Sequence, residues 1–357
     1  MPSNVTWLIN KSVFLKICFL IYAGIALVVF LNSTYPALRG AIESTVNHQA
    51  AECVGLWDAN TYYQYAETVK TDGTQILVDI FNARVFNLLP PIFLLLLLQN
   101  NFLFVFCFNV LVLYLSLFSM LKYCKPDDQL RIFFLTIINP FIFYCLMAIN
   151  KEMTSIASIL FLAAYIVSNR KKYVFFSLLC AFFARFPLVI IVLVFLIFKH
   201  MINKRKRLIL LLGYIGVLTI LVPRLGLFTD IIKKLYEKSS TGIVFFMNEM
   251  AENYYLFFLV FIPKILANFF AQLSKTTFES FSSPIVYSEL LFLVIIFLSI
   301  LKKKYRLQND YYLLFLLYVI LISISPIVHH RYFLPIYPLL VIIYVQRRTK
   351  MKGVFSQ

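Results

Sequence analysis

Apolar runs of roughly 15 to 25 residues, separated by short polar clusters, recur along the whole chain. That is the length a helix needs to cross the hydrocarbon core of a bilayer, about 20 residues at 1.5 Å each. The pattern predicts helices over 13–31, 102–121, 131–149, 153–168, 208–222, 288–301, 311–328 and 333–345. Three further stretches are less regular. Residues 85–98 form a leucine run broken by Pro90-Pro91. Residues 173–198 carry Arg185-Phe186-Pro187 near their middle. Residues 255–272 carry Pro263-Lys264 and read as partly re-entrant. The expected fold is all-α: a polytopic transmembrane helical bundle of about 9–11 membrane helices, some re-entrant or broken, forming a single integral-membrane domain over 1–357.

The polar clusters between these runs set an expected topology. Lys122 with Lys125, Arg170-Lys171-Lys172, and the basic groups within 199–207, 302–306 and 347–352 have the spacing of cytoplasmic loops. Lys11 and Lys16 place the N-terminus on the same side. The long polar loop from 32 to 83, with its tail reaching Asn100, carries Glu43, Glu52, Asp58, Glu67, Asp72 and Asp79 and reads as external. Only one full crossing then fits before Lys122. Residues 102–121 supply it, and 85–98 become a short helix in or on the outer leaflet. Residues 223–254 form a second external loop. Basic clusters on both sides of 173–198 favour two short helices meeting near Arg185 over one straight span, since the residue before a proline avoids the helical region.

Composition agrees with a membrane protein. The chain is 61% hydrophobic and 14% charged, against about a quarter charged in soluble domains. The net charge of +17 is accounted for by topology-fixing clusters, so no nucleic-acid partner is expected; membrane lipids are. Cys18, Cys107, Cys145 and Cys180 fall inside apolar runs as small hydrophobes, and no Cys/His spacing points to a metal. No phosphate-binding glycine loop, no H-E-x-x-H and no G-x-S-x-G is present. No nucleotide, metal or other cofactor is expected.

What remains is a set of ionic residues at the external ends of apolar runs. A charge at the centre of a spanning helix costs about 2.5–3.5 kcal/mol on insertion scales, so such residues usually face a protein interior or a wet cavity. Asp58 and Arg84 come from the first loop, Lys151 and Glu152 from the junction of two apolar runs, and Arg185 from the proposed break. Arg224 opens the second loop, and His329, His330, Arg331 and Tyr332 sit at the last external turn. Carboxylates can act as a general base, and arginines pair bidentately with phosphate oxygens. Tyrosines and Trp57 can stack on sugar rings. A site of this makeup fits a lipid-diphosphate sugar donor.

Several of these residues also carry a family resemblance. Trp57-Asp58-Ala59, followed by Tyr62-Tyr63 and Ala66, resembles the first external loop of GT-C superfamily glycosyltransferases, where an acidic residue is catalytic. Asn139-Pro140, Asn150-Lys151-Glu152 and Arg185 resemble a pattern in bacterial O-antigen and exopolysaccharide polymerases of the Wzy type. Arg331-Tyr332 with Pro335 and Pro338 resembles the last helix pair of both groups. The chain departs from the two-arginine-loop pattern of some polymerases.

The polymerase resemblance implies a GT-C-like, metal-independent glycosyltransferase of the bacterial inner membrane with a periplasmic site. It would join oligosaccharide repeat units carried on undecaprenyl diphosphate, with a chain-length regulator as a possible partner. Arg185 and Arg331 would hold diphosphate, and Glu152 or Asp58 would be the base. Lys151, Arg84, Arg224, His330 and Tyr332 complete the substrate-binding set. A GT-C transferase that adds one sugar from a polyprenyl-phosphate donor is the alternative. A lipid-linked sugar flippase or transporter is a third, non-enzymatic reading. The topology has a direct check. In a cysteine-free background, a single cysteine at Asp58 is expected to react with an impermeant thiol reagent added outside, and one at Lys302 is not. Protection of the first together with labelling of the second would overturn it.

Overall fold

The computed structural model describes residues 3–36, 56–73, 88–147, 151–201, 203–225, 242–275, 309–324 and 330–354. Among the described residues every regular element is helical. The chain divides into two compact units, one of Met1–Val192 with Tyr337–Gln357 and one of Leu193–Ile336. Four described helical stretches are long and apolar enough to cross a membrane: Lys11–Thr34, Phe102–Leu121, Lys151–Ser168 and Arg205–Arg224. Shorter apolar helices accompany them at Phe186–Lys199, Phe257–Ala267, Asp310–Ile322 and Phe333–Val345. The helix expected over 288–301 lies outside the described residues.

The first unit opens with α1 (Ser3–Val29), which continues into a π-helical turn, Phe30–Thr34. There Asn32 donates from its side chain to the Val28 carbonyl and Ser33 to that of Val29, side-chain bonds that compete with regular helix. The long polar stretch after α1 holds a helix, α2 (Leu56–Asp72). Its apolar side, Tyr62, Tyr63 and Ala66, is buried against α3 (Leu89–Leu97) and Val105 of α4 (Phe102–Leu121). Its polar side is tied down as well. Lys70 donates to the Gln99 carbonyl at 3.1 Å, and Asn100 donates to Glu67 at 2.6 Å. Gln99 and Asn100 turn the chain with φ of 57° and 56°, a left-handed pair between α3 and α4.

Two expectations need correction here. Pro90-Pro91 do not break the leucine run but begin its helix, since a proline in the first turn removes only N–H groups that have no intrahelical acceptor. At nine residues, about 14 Å, α3 is too short to cross a bilayer. Conversely, the single helix expected over 131–149 is two helices, α5 (Pro126–Ile137) and α6 (Pro140–Met147). Pro140 starts the second and pushes buried Asn139 out of the helical region. Asp127 and Asp128 begin α5 five residues earlier than expected, at the helix end that favours negative charge.

At the centre of this unit is α7 (Lys151–Ser168). Of its apolar window 78% is buried, against 22–33% for the other three candidate spans. It packs on α4, on α8 (Lys171–Ala184) and on the final helix, α14 (Tyr337–Val354), which also packs on α5. Helices α7 and α8 form an antiparallel hairpin through a turn at Asn169, φ 53°. Small hydroxyls let the backbones approach. The Ser158 hydroxyl donates to the Ser177 carbonyl and the Ser177 hydroxyl to that of Ser158, both at 2.9 Å. Across the unit, Asn109 in the middle of α4 donates to the carbonyls of Cys145 and Leu146, at the end of α6. Tyr337 closes α14 onto α5 by donating to the Leu135 carbonyl at 2.6 Å. The break expected at Arg185 is present: α8 ends at Ala184 and α9 (Phe186–Lys199) begins directly after Arg185.

The second unit contains α10 (Lys204–Leu221) with a 3-10 turn at Val222–Leu225, α11 (Gly242–Asn253), α12 (Phe257–Lys275) and α13 (Asp310–Ile322), and a 3-10 segment at His330–Ile336. Helix α11 falls inside the stretch expected to be external loop. Pro263 sits within α12 without ending it. Arg207 pairs with Asp310 at 2.8 Å, joining the starts of α10 and α13, and Asn309 caps α13 through the Tyr311 N–H at 2.9 Å.

Tight α7–α8 approach makes a stability prediction. Ser158→Leu forces a branched side chain between two backbones and is expected to cost about 1–3 kcal/mol, read as a lower unfolding temperature in detergent. Ser158→Ala, which removes only the hydroxyl, is expected to cost about 0.6 kcal/mol. Equal effects from the two would refute close packing at this point.

Candidate functional site

The candidate site is built where the far end of the α7–α8 hairpin meets α2. Lys151 and Glu152 are the first two residues of α7 rather than a loop between helices. Glu152 is 2% exposed. Opposite it, Arg185 stands in extended conformation, φ −157° and ψ 133°, between α8 and α9. Pro187 keeps this short break from closing. The α9 start is held by the Leu188 N–H bonding to the Arg185 carbonyl at 2.9 Å. The Arg185 guanidinium donates to Glu152 Oε1, forming an ion pair whose side chains are 16% and 3% exposed.

Each charge suits its own helix end. Glu152 lies in the first turn of α7, where the helix dipole favours an anion, and Arg185 follows the last turn of α8, where it favours a cation. Burying either alone costs several kcal/mol, so the pair holds together under a desolvation penalty. The α7 start is also fixed from within, because Ser155 and Thr154 donate to the Lys151 carbonyl at 2.6 and 3.1 Å.

Lys151 points its ammonium over the ring of Tyr62, 5.6 Å from the centroid, a cation–π contact between α7 and α2. The same region includes Phe183 of α8, packed against the Tyr62–Tyr63–Ile92–Val105 cluster. Tyr63 is buried with its ring 4.4 Å from that of Phe102. Thus α2 is anchored beside the two helix ends that carry the charges. The Glu152–Arg185 ion pair and the Lys151–Tyr62 cation–π contact both lie at the start of α7. That arrangement can hold a phosphate-bearing group and can accept a proton from a hydroxyl.

The remaining sequence-derived candidates fall elsewhere or outside the described residues. Asp58 is the third residue of α2, one helical turn before Tyr62, and its side chain is outside the described set. Arg84 and His329 are outside it entirely. Arg224 belongs to the second unit and is exposed on the 3-10 turn Val222–Leu225. The backbones of His330, Arg331 and Tyr332 run in the 3-10 segment of the second unit, with side chains outside the described residues. So Glu152 and Arg185 are brought together, and Lys151, next to Glu152 in sequence, contacts Tyr62 of α2.

Other polar residues prove buried without having been singled out as site residues. Lys264 in α12 is 1% exposed and Asn248 in α11 is 2% exposed, both in the second unit. A groove of about 390 Å³ lies between α5 and α14, lined by Leu130, Arg131, Phe134, Leu135, Tyr344 and Val345, and holds none of the site residues. Among the described residues no three His, Cys, Asp or Glu side chains gather as a metal site.

No family model matches this chain, and neither curated proteins nor solved structures give a match.

The ion pair can be tested apart from any activity. Glu152→Ala and Arg185→Ala each leave a buried charge without its partner and are expected to cost about 3–5 kcal/mol. The double substitution is expected to cost less than the sum of the two, read from thermal unfolding in detergent. Strict additivity would show that the two side chains do not interact.

Proposed function

We propose that this chain is a membrane glycosyltransferase that polymerises undecaprenyl-diphosphate-linked oligosaccharide repeat units at the external face of a bacterial inner membrane. The observation that supports the reading is the buried Glu152–Arg185 pair set at two helix ends, with neighbouring Lys151 over Tyr62 of the first-loop helix. The reaction needs a cationic hold on a diphosphate leaving group and a carboxylate near the attacking hydroxyl. These residues supply both types.

In this reading the acceptor hydroxyl attacks the anomeric carbon of the lipid-linked donor. A new glycosidic C–O bond forms as the bond from that carbon to the diphosphate oxygen breaks. The hydroxyl proton passes to a carboxylate, Glu152 or Asp58, and undecaprenyl diphosphate leaves with its charge held by Arg185 and Lys151. Arg331 remains a proposed second diphosphate ligand. The Glu152–Arg185 pair gives the site an order of events. A diphosphate competes for the Arg185 guanidinium, and the carboxylate it displaces becomes available as base. The growing chain moves from its lipid to the non-reducing end of the next unit, and a chain-length regulator is the proposed protein partner.

A second reading has its own support. Asp58 lies one turn before Tyr62 on the helix that touches Lys151, the placement a single-sugar GT-C transferase with a polyprenyl-phosphate donor would use. The product separates the two. A polymerase gives a ladder of repeat-unit lengths on a gel, and the transferase gives one added sugar by mass. For the polymerase, Glu152→Gln is expected to reduce chain formation by about 10²–10⁴-fold per amount of folded protein. Arg185→Lys keeps the charge but loses the planar fork and is also expected to fail. Normal ladders from Asp58→Asn, Glu152→Gln and Arg185→Ala together would sink the assignment.

A further inference from the structure

The opposite end of the α7–α8 hairpin holds a second constellation that the proposed reaction does not use. Tyr123, just after α4, and Tyr173, in the first turn of α8, meet edge to face with centroids 6.0 Å apart and hydroxyls 3.2 Å apart. The Arg170 guanidinium lies over the Tyr123 ring, 5.9 Å from its centroid, and the Lys172 ammonium lies 5.2 Å from the centroid of Tyr173. The Tyr123 hydroxyl is held below its ordinary pKa first by the hydrogen bond to Tyr173 and then by the positive fields of Arg170, Lys122 and Lys172. One phenol oxygen therefore sits within the reach of three cations.

These cations are poorly placed for the protein alone. Lys122, Arg170, Lys171 and Lys172 are all exposed, and among the described residues none has a carboxylate partner. Three of them stand at the N-terminus of α8, where the helix dipole disfavours positive charge. That helix start has neither an acidic residue in its first turn nor a side-chain cap from Arg170. An anion would relieve both the mutual repulsion and the uncapped N–H groups.

The surface below identifies the anion's carrier. Along α8, Phe175, Leu179 and Phe182 are 63%, 43% and 59% exposed and recur at helical spacing, forming an apolar stripe that runs away from the basic end. Val167 on α7 and Phe176 on α8 widen it. A basic, hydroxyl-bearing head above a continuous apolar wall matches a molecule with a phosphate at one end and hydrocarbon at the other. A free phosphate would leave the wall without a role, and a nucleic acid or an acidic peptide would not cover it.

We propose that Lys122, Arg170, Lys172 and the Tyr123–Tyr173 pair form a binding site for the phosphate headgroup of an anionic phospholipid whose acyl chain lies along Phe175, Leu179 and Phe182. The site is independent of the glycosyltransferase reading. The test uses the purified full chain in neutral detergent, titrated with dioleoylphosphatidylglycerol, with dioleoylphosphatidylcholine and with inorganic phosphate, and read by native mass spectrometry and unfolding temperature. Phosphatidylglycerol is expected to bind and to raise the unfolding temperature, and the other two are not. The double variant Arg170→Gln/Lys172→Gln is expected to lose about thirtyfold in affinity. Tyr123→Phe, which keeps the ring, is expected to lose about fivefold. An equal number of charges removed from α10, by Arg205→Gln/Lys206→Gln, is expected to leave affinity within about twofold. Equal binding of phosphatidylcholine, saturation by phosphate alone, or an equal loss from the α10 variant would overturn the site and leave only a solvated basic face. If the double variant does not fold, Tyr123→Phe decides the matter, because an unchanged affinity there also overturns it.

Discussion

Glu152 and Arg185 face each other across the far end of the α7–α8 hairpin, and the first unit is arranged so that neither charge is left alone. The pair cannot form unless the two helices run antiparallel in one register, and the reciprocal Ser158–Ser177 bonds halfway along hold that same register. It also requires α8 to stop at Ala184, because a helix continued through Arg185 would turn the guanidinium to another face. Pro187 supplies the stop. Burial, backbone break and small-residue packing are thus three parts of one constraint: an ionic group in an apolar bundle must find its partner.

The first-loop helix is drawn in by the same end of the hairpin. Its buried side rests on α3 and α4, its polar side is hydrogen-bonded to the left-handed turn between them, and Tyr62 lies under Lys151. A segment between two apolar helices is thereby made part of the wall around the charges.

Much of this could be read from the residues in advance, and the reason differs from case to case. The break near Arg185 followed from local stereochemistry, since Pro187 has no N–H to give the Phe183 carbonyl and its ring clashes with that carbonyl in a continuous helix. That Glu152 and Arg185 would converge was legible because charges flanked by long apolar runs have few places to go. Pro140 and Pro90-Pro91 were harder, as proline either ends a helix or begins one, and composition alone does not say which. The partnership of Lys151 with Tyr62 depends on how α2 docks, a tertiary fact that leaves no trace in local sequence. Lys264 carried no sign of its depth of burial: a lysine beside a proline in an apolar run reads equally well at an interface and in a core.

The brevity of α8 carries a consequence for the surrounding lipid. Fourteen residues extend about 21 Å, short of a hydrocarbon layer of about 30 Å. A bilayer adapts to such a mismatch by thinning around the short element, at a modest energetic cost for each ångström. In the proposed reading, bilayer thickness would then help to set how far a lipid-borne phosphate must travel to reach the Arg185 guanidinium.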